Sequence, residues 1–177
     1  MNHHNTREDR PALEVIAEFT TCAAKSYWIA LVLTGEEKKA SRIVASGIHE
    51  IADSGTVFGE WMCAWRIGVV IKACVALRAD ELRKEGGSGE YWRAKAAEGP
   101  TIELQQAPLS TERLRRALLL LPLFPRFVYV LRVLEGYSLP YLTSILKVDK
   151  EACQAALNYS FGALAETLIP VQLAKQQ

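Results

Sequence analysis

From Leu13 to Leu168 the apolar residues of this chain return every three or four positions, and no stretch alternates at the two-residue period of a strand. That pattern puts apolar side chains on one face of a helix, so the chain must bury helices against helices. Leu13, Ile16, Phe19, Ala23, Tyr27 and Leu31 mark a first helix that Gly35 ends. Ala40, Ile43, Val44, Gly47, Ile48 and Ile51 mark a second, before the break Asp53-Ser54-Gly55. A third, from about Val57 to Glu85, opens with Phe58, Trp61 and Trp65 and is apolar nearly all round from Ile67 to Leu77. Such a helix needs neighbours on several sides, which makes it the centre of a bundle. The fold class expected is all-α.

Punctuation divides the chain. Residues 1–10 are polar, and Pro11 suits a first helical turn. Gly86-Gly87-Ser88-Gly89, Gly99-Pro100 and Pro108 set residues 86–109 apart as an interdomain linker. Tyr91 and Trp92 are too apolar for a purely solvated tether, so part of this stretch is expected to dock. Two small helical domains follow: an N-terminal three-helix bundle over 11–85 and a C-terminal four-helix domain over 110–170. In the second, Ser110 or Thr111 caps one helix, and Pro122 starts the next, which runs through Glu135 to Gly136. Ser138 caps a short helix to Lys147, and Asp149 caps the last. The two short helices about Val148-Asp149 have helix-turn-helix spacing, which any αα-hairpin in a bundle also has.

Composition narrows the function. The 177 residues carry a formal net charge of +1. A protein that holds nucleic acid mainly through phosphate has a clear basic excess, so a nucleic-acid role here must rest on a local patch. Cys22, Cys63, Cys74 and Cys153 form no CxxC pair and have no histidine at ligand spacing, so they read as small buried apolar residues of a reducing compartment, and no metal site is expected. Neither paired carboxylates, nor a nucleophile with its base, nor a phosphate-binding glycine loop stands out, so neither catalysis nor a cofactor is expected. The polar N-terminus does not read as a signal peptide, and Pro122, Pro125, Arg126 and Arg132 interrupt the most apolar stretch. A soluble, cytoplasmic protein without a membrane span is the expectation.

Particular residues sharpen this. Leu121-Pro122, Arg126, Val128, Leu131-Arg132, Glu135-Gly136, Ser138, Leu142, Ile145-Leu146, Val148 and Leu157 stand in one ungapped register. That register, and the phrase LRVLEGYSLPYLTSIL above all, resembles the C-terminal domain of bacterial RNA polymerase sigma factors of the extracytoplasmic-function type. YWIALVLTGEEKKASRIVASGI, with its Leu33-Thr34-Gly35 turn, is similar to the helix–loop–helix that opens that family's N-terminal domain, and FGEWMCAWRIGVVIKA to its third helix. The resemblance covers about residues 12–85 and 110–168. It implies a transcription initiation protein without a cofactor, whose partners are core RNA polymerase and promoter DNA, with an anti-sigma or other regulatory protein as a further partner. By position it implies polymerase contacts at Lys39, Arg42, Ile43 and Val44. It implies DNA contacts at Trp65 and Arg66 in the third helix, at Arg113, Arg115 and Arg116, at Lys147 and Lys150 beside the turn, and at Gln154 and Asn158 in the recognition helix.

The chain departs from the family where charge matters. The family's acidic Asp-Ala-Glu-Asp is replaced by Lys39-Ala40-Ser41-Arg42, and its Asn and Asp after the tryptophan by Gly68 and Lys72. Reversed charges at a complementary interface cost several kcal/mol. From Asp149 to Leu168 the only base is Lys150, against Asp149, Glu151 and Glu166. Groove-reading helices use Arg, Lys, Asn or Gln on bases and basic residues on phosphates, so promoter contacts are weakened or lost. Trp61 and Trp65 also fit a bundle core, and the three arginines a solvated face. Tyr159, Phe161 and Leu164 mark either a protein interface or the closure of the small domain. The alternative reading is therefore a degenerate sigma-like protein that no longer reads DNA and acts as an interaction or regulatory module.

Overall fold

The computed structural model describes residues 12–53, 59–87, 89–97 and 110–168, with side chains over 20–47, 63–87, 89–97 and 110–168. All regular structure among them is helical: α1 Ala12–Thr34, α2 Glu37–Asp53, α3 Gly59–Leu77, α4 Ala79–Gly86, α5 Gly89–Ala97, α6 Thr111–Leu120, α7 Leu123–Tyr129, α8 Leu139–Leu146 and α9 Lys150–Leu168. None of them is long and apolar enough to cross a membrane.

Local chemistry sets most of the boundaries. Gly35 takes φ +73° after α1, and its N–H donates to the Leu31 carbonyl at 2.8 Å. The Ser110 hydroxyl accepts from the Arg113 N–H at 3.2 Å, the Ser138 hydroxyl from the Tyr141 N–H at 3.4 Å, and the Asp149 carboxylate from the Ala152 N–H at 2.7 Å. Each satisfies a donor that the first helical turn leaves open. One boundary has no local signal. The single helix expected from Val57 to Glu85 is two, because Arg78 turns out of helical geometry at φ −115°, ψ 15°. Its guanidinium donates to the Thr34 carbonyl at 3.2 Å and pairs with Glu81 at 2.9 Å. The break thus ties α3 and α4 to the end of α1. Beyond α7 the helix widens into a π-helical segment, Val130–Leu134, closed by Glu135 N–H donating to Val130.

α1, α2 and α3 pack on one another, as the pattern of apolar residues requires, and α9 takes α5, α6, α7 and α8 around it. The two groups also touch, α1 against α6 and α7, α3 against α8, and α4 against α7 and α8. The buried side chains form one cluster that runs from Ile29, Val32 and Leu33 through Val70, Ile71 and Leu82 to Phe124, Phe127, Leu131 and Leu157. At the junction, Glu85 of α4 accepts from the Phe124 N–H at 2.9 Å, and Lys25 of α1 pairs with the shielded Glu135 carboxylate at 3.1 Å.

Gly86 makes the junction close. A Cβ there would stand 2.5 Å from Val148 Cγ1 and 3.1 Å from the Phe124 ring. Gly86→Val should therefore cost about 1–3 kcal/mol through overpacking, read as a lower urea midpoint. An unchanged midpoint would show that α4 and α7 are not held this tightly.

Two sequence expectations change. The stretch 86–109 carries an ordered helix, α5. Its Trp92 is 3% exposed, packs its ring 5.4 Å from that of Tyr159 and 6.3 Å from that of Phe124, and donates through Nε1 to the Glu85 carbonyl at 2.9 Å. The glycines beside it dominate the local composition, but burial of one indole outweighs their cost in a helix this short. Residues 98–109 lie outside the described residues. The cysteines also divide. Cys22 of α1 and Cys63 of α3 form a disulfide, with Cα atoms 5.6 Å apart, instead of two buried thiols. They are 41 residues apart, so only helix packing brings them together. Cys74 and Cys153 are buried and free, and burial pushes both thiols up to about 12, which keeps them protonated and unreactive at neutral pH.

Candidate nucleic-acid interface

The hairpin α8–α9 turns on Lys147, a non-glycine residue in the left-handed region at φ 55°, ψ 48°. Its N–H bonds back to the Thr143 carbonyl, Val148 lies half-buried behind it, and Asp149 caps α9. Lys147 and Lys150 are both exposed beside this turn.

α9 is divided lengthwise. Cys153, Ala156, Leu157, Ser160 and Leu164 face the core, and the Ser160 hydroxyl donates to the Pro125 carbonyl of α7 at 3.1 Å. Ala152, Ala155 and Tyr159 form an adjoining face, which α5 covers. Gly89 comes so close that a Cβ on it would be 3.4 Å from both Cα and Cβ of Ala152. Gln154, Asn158 and Phe161 make the open strip. Here the amide of Gln154 donates to the Asn158 side-chain oxygen at 3.1 Å, so the two base-reading candidates are joined to each other. Phe161 is 50% exposed and packs edge-on against Tyr129 at 5.5 Å. The small residues of α9 thus have a packing cause. A helix flanked by both a core and α5 has little room for arginine at the flanking positions.

The arginines of α6 are held within the chain. Glu112 receives Arg115 at 2.7 Å and Arg116 at 2.8 Å. The hydrogen bonds from Arg115 and then Arg116 hold its carboxyl down at about 2. Arg113 donates to the Leu168 carbonyl at 2.7 Å and so fastens the end of α9 to α6.

In the N-terminal half, Trp65 is 44% exposed, while Arg66 beside it is 1% exposed. Burial lowers the Arg66 pKa, and its side chain offers almost no surface to solvent. The side chain of Trp61 lies outside the described residues. On α2, Arg42 is exposed, Lys39 is half-buried and pairs with Glu36 at 2.5 Å, and Ile43 is half-buried. Val44, one of the expected polymerase contacts, is buried at 9% with Ala40 on the core side of α2. The outward face of α2 is therefore polar and of mixed charge, with Glu37, Lys38, Ser41, Arg42 and Ser46 exposed.

Sequence reasoning missed a basic pair at the junction. Arg126 of α7 is 9% exposed, and its Nη1 lies 3.6 Å from where a Cβ on Gly35 would stand. Burial lowers its pKa first and the nearby Arg78 second, while Glu85 raises it. Arg126 belongs to the ungapped register above, but nothing local shows that it points at the Thr34-Gly35 turn.

Among the described residues, no group of three or more His, Cys, Asp or Glu side chains is placed to hold a metal ion. Comparison with known proteins finds no matching family model, no matching curated protein and no matching solved structure.

Proposed function

We propose that the chain is a sigma-factor-like transcription initiation protein, which binds core RNA polymerase through α2 and presents the α8–α9 hairpin as a helix-turn-helix to promoter DNA. The observation that carries this reading is the hairpin itself: a Ser138-capped short helix, a left-handed Lys147, an Asp149-capped second helix, and Lys150, Gln154 and Asn158 on its solvent side. In this reading Lys147 and Lys150 meet phosphate, Gln154 and Asn158 meet base edges, and Trp65 stacks on an unpaired base.

Its phosphate contacts are few. With Arg115 and Arg116 both engaged by Glu112, the available positive charge near α9 is small. Glu112→Gln removes the charge that holds both arginines, so it should tighten binding to a mixed-sequence duplex and steepen the dependence of log affinity on log salt by about one to two phosphate contacts. Fluorescence anisotropy over a salt series reads both quantities. Equal slopes for the two proteins would remove α6 from the interface.

A second reading is favoured by one observation, the packing of α5 along α9 with its small residues. In that reading the chain has given up groove recognition and acts as a helical partner for another protein, an anti-sigma or other regulator, through the open strip Gln154–Asn158–Phe161 and Tyr129. Duplex binding that stays at the non-specific level on every sequence, together with retained polymerase binding, would select it.

A further inference from the structure

α5 has one extended neighbour, α9, and that neighbour is the helix the functional reading above sends into DNA. The major groove is about 12 Å wide, and a helix with its side chains is about 10–12 Å across. The groove admits one helix and not two lying side by side. With α5 docked on the Ala152–Ala155–Tyr159 face, the strip Gln154–Asn158–Phe161 is open, but the flank beside it is occupied. We propose that α5 is a removable cover: docked, it keeps α9 from seating in duplex DNA, and released, it lets α9 enter. This inference rests on the sigma-like reading.

α5 is built to come away. It has nine residues, and a helix of that length is marginal on its own in water. One side chain, Trp92, is fully buried, while Tyr91, Arg93 and Ala94 on the other sides are exposed. The Trp92 indole N–H holds the end of α4, so the anchor joins α5 to both α4 and α9. The seam is incompletely filled. A crevice of about 240 Å³ opens between Lys95, Ala96 and Asn158, Gly162, Glu166. A second of about 590 Å³ lies between Glu90, Arg93 and Asp149, Glu151. α5 packs closely along α9, but its short length, its one buried side chain and the open crevices along the seam are features of a segment that can open ahead of global unfolding. Release would uncover Ala152, Ala155 and Tyr159 and leave the core-facing residues of α9 in place.

Two independent variants of the full chain test this. Gly89→Cys with Ala152→Cys, made with Cys153→Ala to remove the adjacent thiol, locks the cover. A Cβ at position 89 lies 3.4 Å from that of Ala152, beside the range a disulfide takes, about 3.5–4.5 Å. Trp92→Ala releases the cover without any redox step. Trypsin cleavage after Arg93 reports the position of α5, and anisotropy of a labelled mixed-sequence duplex reports binding. The Cys153→Ala parent, with and without reductant, controls for the native Cys22–Cys63 bridge. If α5 is docked in nine molecules of ten, release tightens the apparent Kd about tenfold, by restoring the competent fraction. The expected result is fast cleavage and tight binding for Trp92→Ala, cleavage and binding close to those of the Cys153→Ala parent for the reduced lock, and slower cleavage and weaker binding still for the oxidised lock. Equal duplex binding by the oxidised and reduced lock would overturn the cover and leave the DNA-binding reading standing. Binding by none of the forms, despite cleavage showing α5 released, would overturn both.

Discussion

Reducing the Cys22–Cys63 bridge will lower the unfolding free energy by about 4 kcal/mol, the chain-entropy value for a loop of roughly forty residues. The bridge joins α1 to α3, 41 residues apart in sequence. It removes conformations from the unfolded chain, in the half built from α1, α2 and α3. The effect should appear as a lower urea midpoint when a phosphine reductant is added. Cys22→Ser with Cys63→Ser should sit at the reduced midpoint, and reductant should not move it further. The controls are internal, since Cys74 and Cys153 are buried thiols and do not pair. If reductant leaves the wild-type midpoint unchanged, the bridge contributes nothing and the link between α1 and α3 is purely one of packing.

Replacing Phe124 by alanine should cost about 3–5 kcal/mol, the range for removing a fully buried phenyl ring. Phe124 is wholly buried, its ring meets the Gly86 backbone and neighbours Trp92, and its N–H is held by Glu85. α4 and α5 therefore lose their shared neighbour on α7 at once. Because the buried cluster is continuous from α1 to α9, the loss should shift one cooperative transition rather than split it. Urea unfolding followed both by far-ultraviolet circular dichroism and by tryptophan emission would show this. Two separated transitions, with only the later helices moved, would show that the junction around Phe124 does not couple the halves.

What the sequence showed and what it hid follow from the range of the forces involved. Helical periodicity and side-chain caps act within one or two turns, so the starts of α6, α8 and α9 at Ser110, Ser138 and Asp149 were legible, as was the stop at Gly35. The break at Arg78 was not, since its cause is a hydrogen bond to Thr34, 44 residues away. The helical form of α5 was not legible because glycine dominated the composition, but the apolar Trp92 did signal that part of this stretch docks, and Trp92 is buried. The disulfide was hidden for the same reason of distance. Of the expected interface residues, exposure of Lys147, Lys150, Gln154 and Asn158 matched their polar character. Arg66 and Val44 are buried, because the side of a helix that faces the core is set by neighbours and not by residue type alone. The uncharged face of α9 was plain in the sequence, but its packing cause was not, since nothing local shows that the docking segment is a helix laid along α9.

The most direct test is co-elution of the full chain with purified core RNA polymerase of its own host on size-exclusion chromatography, with Arg42→Glu as the comparison on the exposed face of α2. The wild-type chain should form a complex with the polymerase, which the substitution weakens. Polymerase eluting without the chain, at concentrations where a control sigma factor binds fully, would contradict the sigma-like reading.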